Sequence, residues 1–570
     1  MNRNETLAAL RERPDIAVLV IGGGINGISV FRELALQGVD VVLADKGDYC
    51  SGASAALSRM VHGGLRYLEN GEFKLVRESL VERDRLLKNA PHYVTPLPTT
   101  VPIFDTFSGI ANGAVRFLGL TRRPSRRGSL VIKAGLTMYD LFTAARRLMP
   151  THQFRGRTDT LKTWPAINPA IRSSATYYDA WVSRPERLGL EMLFDTVTAA
   201  SSARALNYAA VTSTVAGLAL LDTLTGETLA IRPKLIVNAT GGWIDLTNDA
   251  IGATAQKMMG GTKGSHLIVD NAELYDALGG HMVYYENEDG RICILFPYLG
   301  KVLIGSTDIR VDNPDEVRCE DDERSYILQS LAFVFPSIVI ADNEIIFRFA
   351  GVRPLPASED SFTGRIPRDH FCEFVEPSGH LPATLCMIGG KWTTFRSFGE
   401  MAADMALERL GLNRSKGTED LAIGGGRNFP ADPEKWCASL AEQHRLSFER
   451  AHMLLERYGT SAEDFAAQLG MDQMLPRSDY SIGEVRFIIE REQVECLADI
   501  FLRRTTIAIS GGLSLALIDA VLDILAAHKG WDVDQAIAER TAFLAMLAHQ
   551  HGVDLSDLSQ TNDKRSALCA

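Results

Sequence analysis

Apolar and polar positions divide the chain into three regimes. Near the N-terminus, Ile16-Ala-Val-Leu-Val-Ile21 is an unbroken apolar run, the pattern of a strand buried on both faces of a parallel sheet. It stops at Gly22-Gly-Gly-Ile-Asn-Gly27, residues 28–37 continue at helical spacing to Gly38, and residues 39–44 predict a second strand ending at Asp45. Residues 72–88 predict an amphipathic helix with Phe73, Val76, Leu80 and Leu87 on its apolar side. In the middle regime, residues 229–237 read as a strand, and residues 266–269, 291–296 and 302–304 alternate as strands of a second, mostly antiparallel sheet. Met387-Ile-Gly-Gly-Lys391 then reads as a strand and turn, followed by a helix to Leu410. From about residue 425 helical spacing dominates, over 440–458, 482–502 and 513–528, and predicts a helical domain. The polar tail after Asp554 is expected to be loose.

The glycine turn carries the first chemistry. Gly22, Gly24 and Gly27 form G-x-G-x-x-G between a strand and a helix, with Asp45 about 20 positions on. In that setting Gly22 permits the tight turn, Gly24 admits a pyrophosphate close to the backbone, and Gly27 lets helix pack on strand. The helix N-terminus offers free N–H groups to the phosphates, and Asp45 can accept ribose hydroxyls. The fingerprint does not separate FAD from NAD. Next, residues 51–62 read as a helix capped by Ser51 and ended by Gly63-Gly64, with Ser54 and Ser58 on one face. Those hydroxyls could meet a cofactor, or the small side chains could simply allow close packing.

Size and charge narrow the classes. A chain of 570 residues is too long for one core. Its net charge of −12 argues against nucleic acid as the main partner. Eight scattered cysteines, with no C-x-x-C, suggest neither a disulfide framework nor a metal site, and no metal is expected. No apolar run reaches the roughly 20 residues of a membrane span, so a cytoplasmic protein is expected, with any membrane contact peripheral. Residues 109–120 are apolar and glycine-containing, and Arg122, Arg123, Arg126 and Arg127 follow; this suits either a monotopic membrane contact or a solvated loop.

Longer motifs point to a family. His62-Gly-Gly-Leu-Arg-Tyr-Leu-Glu69, Glu72-Phe-Lys-Leu-Val-Arg-Glu78 and Ala90-Pro-His92 resemble the FAD-dependent, respiratory glycerol-3-phosphate dehydrogenases. So do Asn238-Ala-Thr-Gly241, Lys263-Gly-Ser-His266, Phe296-Pro-Tyr298, Gly305-Ser-Thr-Asp308, Gly351-Val-Arg-Pro-Leu355 and Gly389-Gly-Lys-Trp-Thr-Thr-Phe-Arg396. Arg457-Tyr-Gly459 and Arg503-Arg-Thr505 are similar to the family's helical domain. The resemblance implies an α/β fold: a discontinuous Rossmann-type FAD-binding domain (15–105, 181–245 and 346–412), a mixed or antiparallel-sheet substrate cap (106–180 and 246–345), a C-terminal α-helical domain (425–555) and a flexible tail (556–570). It implies FAD held by Gly22, Gly24, Asn26, Gly27, Asp45, Lys46, Ser51, Ser54, Ser58, His62, Gly63, Gly64, Val211, Gly241, Gly390, Lys391, Trp392 and Thr393.

For a polyol phosphate substrate, the site must pair a dianion and accept a hydroxyl proton while a hydride goes to flavin N5. Arg66, Tyr67, Arg353, Lys391 and Thr393 are the substrate-binding candidates, since guanidinium groups fit phosphate oxygens in a fork. Structural ion pairing is the competing role for the cations. The catalytic candidates are His62, His266, Arg353 and Lys391, with the two histidines as alternative proton acceptors. The expected reaction is oxidation of sn-glycerol 3-phosphate to dihydroxyacetone phosphate, with electrons passed to a quinone at the inner face of the cytoplasmic membrane and a dimer as the assembly. Ala53, Ala55 and Leu57, Ser183-Arg-Pro-Glu186 and Gly242 depart from the family's pattern and bear on substrate choice. Alternatives are another polyol phosphate such as erythritol 4-phosphate, an oxygen-using oxidase, or a flavin-binding interaction protein without catalysis. An NAD-dependent dehydrogenase fits least.

Overall fold

The structure is a computed structural model and describes residues 3–64, 72–105, 149–253, 255–287, 289–357, 369–469 and 473–560. Arg66, Tyr67, the 109–120 segment and Arg122, Arg123, Arg126 and Arg127 lie outside the described residues.

The first sheet runs in spatial order Phe371–Val375, Thr384–Ile388, Thr228–Asn238, Asp15–Ile21, Val41–Ala44, Ala203–Leu206. The pairings are parallel except at the Phe371–Val375 edge. Asp15–Ile21 is apolar on both sides because both are covered. Val18 and Val20 share one core with residues of helices Ile25–Leu36, Pro185–Ala199 and Phe395–Leu410. Leu19 and Ile21 share a core with Leu7 and Leu10 of helix Arg3–Glu12, which the charged opening of the sequence concealed. A Cβ on Gly399 would come 2.2 Å from Ser29 Oγ, so glycine lets the last of these helices pack against the first. Strand and helix separated by hundreds of residues thereby close one domain.

The second sheet is the cap. Its spine runs Ile309–Arg310, Thr262–Val269, Lys301–Gly305, Ile292–Tyr298, Met282–Glu286, Val94–Ile103, Ser173–Val182, Met60–Val61, and Ile345–Arg353 pairs with Thr262–Val269. Among these pairings only Met282–Glu286 with Val94–Ile103 is parallel. Two expected boundaries therefore move: Val94–Ile103 and Ile345–Arg353 hydrogen-bond into the cap, not into the cofactor domain. One cap face packs on Asp321–Val334 and Ala272–Leu278; the other shares a continuous core with the helical domain, in which Ile268, Phe296 and Phe349 join Leu455, Ile488 and Val521.

Several local expectations differ. Residues 51–62 are turns leading into Met60–Val61, not a helix, so Ser54 and Ser58 do not share a helical face. The backbone there serves other partners: Trp392 Nε1 donates to Ser54 O at 3.2 Å, and Arg59 sits at φ 56°. Helix Phe73–Asn89 buries Leu75, Val76, Leu80 and Leu86, whereas Phe73 is 46% exposed. The expected 440–458 helix breaks at Arg445 (φ 57°) and restarts where Ser447 Oγ accepts from Arg450 N. The tail begins as helix Leu555–Gln560.

Candidate active site

The glycine turn opens a groove. Gly22 has φ 106°, and a Cβ on it would come 2.8 Å from Ala239 O; one on Gly27 would come 1.8 Å from Gly22 O. Neither position tolerates a side chain, and the close strand–helix contact leaves the Ile25–Leu36 N-terminus facing the groove. Ser54 Oγ accepts from Ile25 N at 2.9 Å. Asp45 accepts from Gly23 N at 2.6 Å on Oδ2 and from Gly47 N at 2.8 Å on Oδ1, and burial pushes its pKa up. Its carboxylate thus fixes the turn while retaining lone pairs for a ribose.

The groove encloses a cavity of about 600 Å³ lined by Gly22, Gly24, Asn26, Asp45, Lys46, Ser51, Ser54, Ser58, Val211, Gly241, His266, Arg353, Gly390, Lys391 and Trp392. Gly27 lies behind the turn. A second cavity of about 300 Å³ adjoins it and is bordered by His62, Gly64 and Thr393 instead. Gly63 borders neither; its N–H donates to Asp179 Oδ1 at 2.8 Å. Ser58, Arg353, Gly390, Lys391 and Trp392 border both, so these residues mark where the spaces meet. The size of the larger space, its glycine cradle and its dipole end fit a dinucleotide; the smaller suits a short polar molecule.

Two cations stand at the junction. Arg353 donates from Nη1 to Asp308 Oδ1 at 3.0 Å and from Nη2 to Ser306 Oγ and Thr307 O, both at 3.1 Å. Gly264 makes room for it: a Cβ there would lie 2.1 Å from Nη2. Lys391 Nζ donates to Ser79 Oγ at 3.4 Å. His266 is 2% exposed, stacks on Phe349 at 5.0 Å, and neither ring nitrogen has a hydrogen-bond partner. Burial first, then the Arg353 and Arg59 charges, push its pKa down to about 3, so the ring is neutral at physiological pH. His62 N donates to Thr393 Oγ1 at 3.2 Å, tying the cap's edge strand to the lysine loop.

Sequence reasoning missed Tyr177, Tyr284, Arg291, Ser306 and Asp308 on the smaller cavity. Ser306 and Asp308 sit in a quoted motif and could have been found; Tyr284 and Arg291 carry no local signal. Trp243, at the rim, donates from Nε1 to Asp315 Oδ1 at 2.7 Å, and Asp315 also pairs with Lys46 at 2.8 Å. The departures sort by position. Ser183, Arg184 and Glu186 line neither cavity: Glu186 forms a buried fork with Arg59 (2.8 and 3.1 Å), and Ser183 O accepts from Tyr298 Oη at 3.0 Å. Leu57, in contrast, borders both spaces.

Residues 17–396 match the family described as FAD dependent oxidoreductase, and residues 416–536 match the C-terminal domain of alpha-glycerophosphate oxidase. The chain is 31% identical to a glycerol-3-phosphate dehydrogenase of Synechocystis over 91% of its own length and 94% of that protein's. It is 30% identical to the D-erythritol 1-phosphate dehydrogenase of Brucella abortus, over 86% of this chain and 93% of that one. Among solved structures, the glycerol-3-phosphate dehydrogenase of Bacillus halodurans complexed with FAD superposes with a TM-score of 0.76 at 23% identity, covering 97% of this chain and 98% of that one.

Proposed function

Because this chain belongs to the FAD-dependent glycerol-3-phosphate dehydrogenase family and is an FAD-dependent oxidoreductase, we propose that it oxidises sn-glycerol 3-phosphate to dihydroxyacetone phosphate. FAD, when bound, supplies the hydride acceptor. Arg353 and Lys391 carry the reading, because both border the cofactor groove and the adjoining cavity at once. A phosphate dianion held there keeps the rest of a three-carbon substrate against the groove. Thr393 adds a hydroxyl to this lining, and Arg66 and Tyr67, outside the described residues, are proposed as further phosphate-binding residues.

The two histidines divide the proton work. His266 stays neutral and offers a ring nitrogen to the substrate hydroxyl, which orients it. It does not keep the proton: with a pKa of about 3, holding it at neutral pH costs roughly 5 kcal/mol. His62, on the smaller cavity, is the proposed acceptor. Electrons leave to a quinone, and the enzyme works as a dimer at the membrane surface through residues 109–127. Among the described residues no helix is long and apolar enough to cross a membrane.

A second reading, oxidation of a four-carbon polyol phosphate, draws support from the Brucella relative's near-equal similarity and from Leu57 at the junction. A dye-reduction panel of polyol phosphates and their unphosphorylated parents separates the readings. The first predicts the highest kcat/KM on sn-glycerol 3-phosphate.

A further inference from the structure

The loop that carries Asp45 is held from far away in sequence. Asp48, 2% exposed, accepts from Arg504 Nη2 at 2.9 Å and Asn207 Nδ2 at 3.0 Å on Oδ1, and from Arg503 Nε and Arg504 Nη1 on Oδ2. Tyr49 donates its hydroxyl to Gln493 Oε1 at 2.8 Å. Gln493 donates from Nε2 to Ala205 O at 3.3 Å, and its carbonyl accepts from Asn207 Nδ2 at 2.9 Å. The neighbouring Glu492 takes Arg187 Nη1 at 2.7 Å on its carboxylate and Arg504 Nη2 at 2.9 Å on its carbonyl. Each of the three segments meeting here holds a non-glycine residue in the left-handed region: Cys50 (φ 56°), Tyr208 (φ 52°) and Gln493 (φ 49°). Such backbone persists only where its surroundings over-determine it.

The pinned loop is one wall of the cofactor groove. Asp45, Lys46, Gly47 and Ser51 line it, Asp45 bonds Gly23 N and Gly47 N, and Cys50 N donates to Gly23 O at 2.9 Å. A shift of residues 45–50 would therefore move both the ribose acceptor and the glycine turn. Among the described residues none beyond Thr393 borders either cavity, so the helical domain acts on the site at a distance. We propose that the 492–504 segment of the helical domain is a positioning element for FAD: Arg503, Arg504 and Gln493, acting through Asp48 and Tyr49, hold loop 45–50 in its binding geometry and so set the affinity for the cofactor. Arg503-Arg504 thereby has a role that the reaction itself does not require. If the loop occupies that geometry only a fraction of the time, the apparent Kd rises by the inverse of that fraction.

The test uses the full chain, stripped of flavin and titrated with FAD, and does not depend on which alcohol is oxidised. Tyr49→Phe removes one hydroxyl and Gln493→Met removes the amide. Glu484→Gln is the control: Glu484 is buried inside the helical domain and bonds Arg450, Arg457 Nη1 at 3.1 Å, Tyr458 Oη at 2.9 Å and Ser481, none of which belongs to 45–50 or 492–504. The Kd for FAD is expected to rise about threefold in Tyr49→Phe and about tenfold in Gln493→Met. Turnover at saturating FAD should stay native in both. Glu484→Gln should lower the melting temperature and leave the Kd for FAD unchanged. Should Gln493→Met not fold, Tyr49→Phe decides alone. Native FAD affinity in Tyr49→Phe would overturn the proposal, as would an equal loosening in Glu484→Gln, which would make cofactor loss a general effect of destabilisation.

Discussion

Replacing Arg353 with alanine tests whether this side chain serves the proposed substrate or the cofactor. The guanidinium lies over Gly264, donates to Asp308, Ser306 and Thr307, and borders both cavities. Loss of one charge-assisted contact to a phosphate costs about 1.5–3 kcal/mol, or roughly ten- to a hundredfold in KM. Arg353→Lys keeps the charge and loses the fork, so it should fall between alanine and native. The assay is dye reduction against substrate concentration, with flavin content read from visible absorbance on the same samples. Flavin should stay stoichiometric in both variants. A native KM in Arg353→Ala would remove the residue from the substrate site; loss of flavin with native KM in the remaining holoenzyme would move it to the cofactor.

Gly27→Ala places a Cβ 1.8 Å from Gly22 O, so it should yield little soluble flavoprotein, with a stability loss of about 1–3 kcal/mol or more, read by thermal melting and bound flavin. His266 has a folded pKa depressed from 6.5 to about 3, so below pH 6.5 the unfolded chain binds a proton that the folded chain refuses. Stability from this group is complete above pH 6.5 and falls as pH drops towards 3, by up to about 5 kcal/mol; His266→Phe should flatten that acid limb in melting curves. Four arginines at 122, 123, 126 and 127, each worth about 1 kcal/mol at an anionic surface, should give salt-sensitive co-sedimentation with anionic liposomes that the quadruple glutamine variant loses.

What was legible in the sequence was local. Asp15–Ile21 and the glycine turn declare themselves because strand, turn and helix are consecutive and the run is apolar on both faces. Val94–Ile103 hides: Pro96, Pro98 and Pro102 break the strand signal. They share one parity in a strand that pairs along its length with Ser173–Val182 and on its other side only at Thr99 and Thr100. The Ser51 helix failed because Ser54 and Arg59 bond across the fold, to Ile25 N and Glu186, and such partners override local capping. Arg353 and Lys391 were singled out through their motifs, yet only the fold shows that they share one junction. Asp48 gave no signal, because the arginines that bury it lie more than 450 residues away.

In the proposed reaction a phosphorylated alcohol delivers its electrons to FAD in this site. Anaerobic titration of the purified holoenzyme, followed by loss of the oxidised flavin's visible absorbance, measures that step without any choice of acceptor. Stoichiometric bleaching by sn-glycerol 3-phosphate is expected, with none by glycerol at the same concentration, and dihydroxyacetone phosphate as product. Unchanged flavin absorbance with every polyol phosphate offered would contradict it.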